Sequence, residues 1–195
     1  LNILYAPSWE FNNQQDGLIN SIVDLPVHIF VKHQHWLGDG GAHMERVNEM
    51  AKIHKGRWPN VTILDPKTDI FDALVRADCV ISEESSTLTE GTMVGVLPFA
   101  VSDWLVPDTS PPRQASVPYP YVTKILSCEI RKTFENLIQP GALETAQEKI
   151  ELDLVDSEFA DDPVAAVANF ILEKVHLQDQ DVKIKMIAGA NASKK

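Results

Sequence analysis

Positive charge is what this 195-residue chain has least of: 17 Lys and Arg stand against 28 Asp and Glu, leaving a formal net charge of −11 and a pI near 4.9. That balance excludes a broad basic footprint for nucleic acid or an anionic membrane, so no nucleic-acid partner is expected and any phosphate must meet a local site. Cysteine is nearly absent too. Cys79 and Cys128 make neither a disulfide framework nor a zinc cluster, and a reducing compartment is the simpler expectation. Long apolar runs are missing: the most apolar stretch, "MVGVLPFAV" at 93–101, falls far short of the roughly 20 residues that span a bilayer. No signal peptide is expected before Leu1. The "GDGG" at 38–41 lacks the strand, the glycine spacing and the lysine of a phosphate-cradling loop and reads as a turn. No Ser-His-Asp order with nucleophile-elbow glycines appears, which discounts a hydrolase, and no repeat of fixed period exists. The chain also lacks an initiator Met and opens almost inside a strand, "LNILYAP", as a fragment of something longer would.

What is present is ordinary for a soluble globular domain: 44% hydrophobic and 23% charged residues, enough to bury a sizeable core. Short apolar runs lie at 2–6, 27–32, 61–65, 79–82 and 97–101. Helical spacing separates them, through Leu18, Ile22 and Leu25, then Met44, Val47 and Met50, then Ile70, Phe71, Leu74 and Val75, then Leu88 to Val94. The alternation predicts an α/β fold, a Rossmann-like parallel sheet of about five strands with helices on both faces. Right-handed crossovers give the order 3-2-1-4-5. After Val101 come five prolines between 107 and 120, then helical signals near 129–138, 142–151 and 163–175. Val167, Phe170 and Ile171 share a face of the last and are expected to pack onto the domain. The expected domain spans 1–176, with a tail over 177–195 partly disordered or added by cloning.

Ligands of open doubly wound sheets bind beyond the carboxyl ends of the strands, at the point where strand order reverses. With the order 3-2-1-4-5, Ser8 after the first strand and Ser85 and Ser86 after the fourth face one crevice. The serine pair has two readings. One is a helix N-cap worth about 1 kcal/mol; the other is an anion site where hydroxyls, amides and the positive helix end converge. His33 and His35 sit two apart at the end of the second strand and share a face. As a metal pair they lack a third ligand, so no metal site is expected; a role near phosphates and plain surface histidines remain. Trp9, Trp36 and Trp104 follow strand ends, where aromatics pack under loops or stack on a base.

Three blocks in order, "ILYAPSW", "VKHQH" and "DIFDALVRADCVISEESSTLTEGTMVGVLPF", resemble those of the carboxy-terminal nucleotide-binding domain of CDP-glycerol glycerophosphotransferases, the teichoic-acid-type polymerases and primases of cell-envelope polymer biosynthesis. The likeness covers about residues 1–105. It implies one half of a GT-B fold. It implies nucleotide contacts by Ser8, Lys32, Ser85, Ser86 and Thr87, with Glu90 accepting hydrogen bonds from ribose hydroxyls, and a catalytic histidine, His33 or His35, neutralising developing charge. The block departs from the family where an aspartate and a tyrosine usually precede the two serines: here Glu83 and Glu84 stand, and carboxylates beside a pyrophosphate repel it unless they point away.

The reaction so implied transfers a phospho-alcohol from CDP-glycerol or a related CDP-alcohol to a hydroxyl of a polyol-phosphate or glycan acceptor, releasing CMP, with no cofactor. The general base would come from an amino-terminal acceptor domain absent here, so the isolated fragment should be inactive. The expected location is cytoplasmic, with the full-length protein peripheral at the inner face of the membrane. A UDP-sugar-dependent glycosyltransferase or 2-epimerase-like domain, and a noncatalytic binding domain whose Glu83-Glu84 pair has spoiled the anion site, are the alternatives.

Overall fold

Each of the five apolar runs becomes a parallel strand in the computed structural model, which describes residues 1–35, 45, 48–49, 51–52 and 56–155. The strands are β1 (Asn2–Tyr5), β2 (His28–Val31), β3 (Val61–Ile63), β4 (Cys79–Ser82) and β5 (Leu97–Val101). β1 lies at the centre, pairing Ile3 with Ile29 of β2 on one side and with Cys79 of β4 on the other. The expected order holds and is extended by one strand. Two-residue strands β6 (Leu105–Val106) and β7 (Arg113–Gln114) pair antiparallel by themselves, and β8 (Thr123–Ile125) adds to β5, giving the order β3-β2-β1-β4-β5-β8. Pro98 fits inside β5 for a geometric reason. Leu97 N–H donates to Asp78, so the missing N–H of the next residue would point to the β8 side, where pairing starts only at Phe99.

The described helices are α1 (Gln14–Ile22), α2 (Ile70–Leu74), α3 (Thr87–Met93), α4 (Ile130–Leu137) and α5 (Ala142–Val155), with a short 3-10 turn over Ser127–Glu129. They cover both faces, as strand alternation requires. Ile3, Tyr5, Ile29, Val31, Cys79 and Ile81 pack against Leu18, Ile19 and Ile22 of α1 and Ile130, Phe134 and Leu137 of α4. Leu4, Ala6, Val80 and Ala100 turn the other way onto Ala73 and Leu74 of α2 and Leu88 of α3. The α3 backbone comes very close to the sheet. A Cβ on Gly91 would sit 2.8 Å from Val80 Cγ1, so any larger residue there must displace that side chain.

α1 starts from a tight turn in which Asn12 and Asn13 both have positive φ, 51° and 58°, and Gln14 N–H donates to the Phe11 carbonyl. Asparagine tolerates that left-handed backbone better than most side chains. α2 is capped by Asp69, whose carboxylate accepts from Phe71 N–H at 2.8 Å.

Contacts divide the chain into Leu1–Ile150 and Glu151–Lys195. The helix expected over 163–175, the packing of Val167, Phe170 and Ile171, the domain limit at 176, the tail over 177–195, the 38–41 turn, Trp36, Met44, Val47 and Met50 all lie outside the described residues. Among the described residues no helix is long and apolar enough to cross a membrane.

Candidate functional site

The carboxyl ends of β1, β2 and β4 meet at the point where strand order reverses, and there the loops enclose an open pocket of about 200 Å³. Ala6 and Pro7 line it from β1, Lys32 and Gln34 from β2, Ile70 from α2, and Ser85, Ser86, Thr87 and Glu90 from the β4 to α3 turn. Five residues singled out from sequence, Lys32, Ser85, Ser86, Thr87 and Glu90, are therefore brought together. Ser8 is half-buried beside this wall, next to Trp9, whose amide donates to Glu83.

The serines divide their roles. Ser85 Oγ accepts a long bond from Thr87 N–H at 3.3 Å and donates to Thr87 Oγ1 at 3.0 Å, a weak cap. Ser86 occupies the N-cap position without capping; its hydroxyl reaches across one turn to donate to Glu90 Oε1 at 3.2 Å. The amides of Leu88, Thr89 and Glu90 already donate to the carbonyls of Ser85 and Ser86. An anion here would meet hydroxyls that can swing outward rather than free helix amides, which differs from the convergence of amides expected from sequence.

The cation of the pocket is Lys32. Its side chain belongs to a residue only 9% exposed, and Nζ donates to the Pro66 carbonyl at a long 3.4 Å. Burial lowers its pKa, and the nearby carboxylates of Asp69, Asp65 and Glu90 hold it partly up.

His33 is not brought to this pocket. Consecutive residues at a strand end face opposite sides, so Lys32 turns toward α2 and α3 while His33 turns toward α1. It is 3% exposed, its Nε2 lies 2.5 Å from Gln15 Oε1, and its ring stands edge-on to Tyr5 at 6.2 Å. His35 is half-buried and does not line the pocket. Trp104, 7% exposed, packs edge-on against Tyr5 at 5.8 Å, the packing role rather than a stacking platform. Among the described residues no group of three or more His, Cys, Asp or Glu is placed to hold a metal ion.

Both acidic residues before the serines point away from the pocket. Glu83 is fully buried and accepts from Trp9 N–H at 2.6 Å and from Ser82 Oγ at 2.9 Å. Burial raises its pKa, against the pull of those donors. Glu84 forms a two-point pair with Arg113, at 2.6 and 2.8 Å, and accepts from Ser116 N–H at 2.8 Å. Its pKa is lowered, chiefly by the Arg113 hydrogen bonds. Arg113 also reaches Asp108 at 2.6 Å, tying the β6–β7 hairpin to the end of β4. Deeper in, Tyr5 Oη donates to Glu10 Oε2 at 2.6 Å, and Gln15 N–H donates to Glu10 Oε1 at 3.2 Å. Sequence reasoning missed these ties because their partners lie as far as 74 residues apart and leave no local pattern.

No protein-family model matches the chain, and no curated protein matches it in sequence. Solved structures do. The wall teichoic acid polymerase TagF superposes with a TM-score of 0.54 at 16% identity over 92% of this chain and 44% of its own. A TagF variant soaked with CDPG gives 0.52 at 17% over 91% and 42%. S. aureus MnaA in complex with UDP gives 0.50 at 11% over 75% and 38%. This chain thus spans less than half the length of the TagF chains it resembles. At such identities the likeness is one of fold: this is a Rossmann-like α/β sheet of the kind found in TagF and in MnaA.

Proposed function

We propose that the chain is the donor-nucleotide-binding domain of a glycerophosphotransferase that uses CDP-glycerol or a related CDP-alcohol. The observation that carries the reading is the convergence of Lys32, Ser85, Ser86, Thr87 and Glu90 on one pocket at the switch point of the sheet. Its volume, about 200 Å³, lies below the roughly 300–1,000 Å³ of sites that enclose whole ligands. It suits the diphosphate and ribose, with base and alcohol extending beyond the lining. Lys32 would carry the diphosphate charge, and the Ser85 and Ser86 hydroxyls would turn outward to donate to its oxygens. Glu90, released by Ser86, would accept from the vicinal ribose hydroxyls.

Chemistry at such a site is mostly positioning and charge stabilisation. An acceptor hydroxyl attacks the β-phosphorus, the anhydride bond to the α-phosphate breaks, and CMP departs with the bonding electron pair. The acceptor proton passes to a base from outside the described residues. Of the two histidines, His35 at the open end of β2 is the one able to approach a phosphate without breaking the buried contacts that hold His33. The two glutamates before the serines have their carboxylates occupied elsewhere, which supports a usable anion pocket over a spoiled one.

A UDP-sugar donor is the second reading, favoured by the superposition on MnaA with UDP. Calorimetric titration with CDP-glycerol, CDP, UDP-N-acetylglucosamine and inorganic pyrophosphate tests both. Tighter binding of CDP-glycerol than of the UDP-sugar supports the first reading, the reverse order supports the second, and no binding of any nucleotide at millimolar concentration refutes both.

A further inference from the structure

We propose that Glu83 is a positioning residue for nucleotide binding: its buried carboxylate clamps the loop after β1 to the end of β4 and so sets the separation of the two walls of the pocket. The inference rests on the nucleotide reading of that pocket and adds a residue that does not line it.

The pocket is built from two segments that belong to neighbouring strands. Ala6 and Pro7 form one wall; Ser85, Ser86 and Thr87 form the other. Sheet hydrogen bonding between β1 and β4 ends where Ala6 N–H donates to the Ile81 carbonyl. Beyond that point the backbones separate, and something else must hold them. Glu83, two residues before Ser85, fills that place. Its carboxylate accepts from the Trp9 amide just past one wall while its own backbone leads into the other. Ser82 Oγ completes the set.

The chemistry explains why an anion is used. The Trp9 N–H and the Ser82 hydroxyl both aim at one side chain, and a carboxylate offers acceptors only. An amide of the same shape would present an NH₂ to one of those donors. Burying a carboxylate among neutral donors is costly for folding, and here that carboxylate is spent on holding the loop beside the pocket. Glu10 braces the same loop from its far end, through Tyr5 and the Gln15 amide. The segment between is fixed at both ends by buried carboxylates.

The test compares wild type with Glu83→Gln. Amide hydrogen exchange at Trp9 is read relative to Leu4 and Val80 in the central strands, so that any global loss of stability cancels. CDP and CDP-glycerol affinities are read by calorimetry where both proteins are folded by circular dichroism. The expected result is faster relative exchange at Trp9 together with affinity lowered about tenfold or more, as for a charge-assisted hydrogen bond lost. Unchanged relative exchange overturns the clamp. Faster exchange with affinity within twofold of wild type overturns its role in binding. If wild type itself binds no nucleotide, it is the functional reading that fails, whatever the exchange of the loop shows.

Discussion

Replacing Lys32 with Met separates what the residue does for folding from what it is proposed to do for binding, because the two effects have opposite signs. In the folded protein Lys32 as a whole residue is 9% exposed, its ammonium is partly desolvated, and its hydrogen bond to the Pro66 carbonyl is long at 3.4 Å. Burial outweighs the attraction of Asp69, Asp65 and Glu90, since the net shift of the pKa is downward. Methionine keeps most of the stem and its packing. Stability of Lys32→Met should therefore stay within about 1 kcal/mol of wild type or rise. Binding should fall. A charge-assisted hydrogen bond to a phosphate is worth roughly 1.5–3 kcal/mol net, or about 10- to 150-fold in affinity.

pH gives the same separation. With its folded pKa below its unfolded one, Lys32 binds fewer protons in the folded state between those two values, so stability rises with pH through that window. Affinity for CDP-glycerol, whose diphosphate diester does not titrate there, should decline over the same window as the ammonium is lost. Thermal melts and calorimetry on both proteins across the alkaline range read both slopes, and Lys32→Met should flatten both. Affinity within threefold of wild type, or a loss of more than about 2 kcal/mol in stability with binding intact, would refute the reasoning.

Ser85→Ala with Ser86→Ala should cost only about 0.5–1 kcal/mol in denaturant unfolding, since one cap is long and the other absent, while CDP affinity falls roughly 10- to 100-fold; equal affinities in calorimetry would leave the serines as local turn formers. Glu90→Gln should weaken binding of ribose-bearing ligands and leave inorganic pyrophosphate unaffected or slightly improved, a difference read by parallel titrations. Gly91→Ala places a methyl group 2.8 Å from Val80 Cγ1, so overpacking of about 1–3 kcal/mol should exceed the gain of about 1 kcal/mol in helix propensity; an unchanged or raised melting temperature would contradict that packing.

The sheet was legible because its strands advertise themselves. "CVIS" and "LPFAV" are buried at every position, and a run buried on both faces needs no alternation to be seen. β8 could not be found the same way: Thr123 and Lys124 are exposed and only Ile125 is buried, so three residues at an edge carry no apolar signal. β6 and β7 have two residues each, too few for any period. The pocket was legible through topology, since the switch point names the loops before any side chain is considered. Its polarity was not. Lys32 and His33 were read as parts of one block, yet adjacency in a strand sends them to opposite faces, one to Ser85 and Glu90, the other to Gln15 and Tyr5.

The two glutamates before the serines show why direction matters more than composition at such a site. A carboxylate about 4 Å from a phosphate charge repels it by about 4 kcal/mol at an effective dielectric of 20, enough to cancel the donation expected of Lys32. Neither glutamate exerts that penalty from inside the pocket, because Glu83 is turned to the Trp9 amide and the Ser82 hydroxyl and Glu84 is paired with Arg113. Among the described residues the lining holds one cation, Lys32, and one anion, Glu90. On the proposed reading that pair orients the ligand. A diphosphate placed at Glu90 would be repelled, and a ribose placed at Lys32 would leave that cation without its partner. On that reading the donor enters with its phosphates toward Lys32 and Ser85 and its sugar toward Glu90, in a protein whose overall charge of −11 does not itself attract an anion.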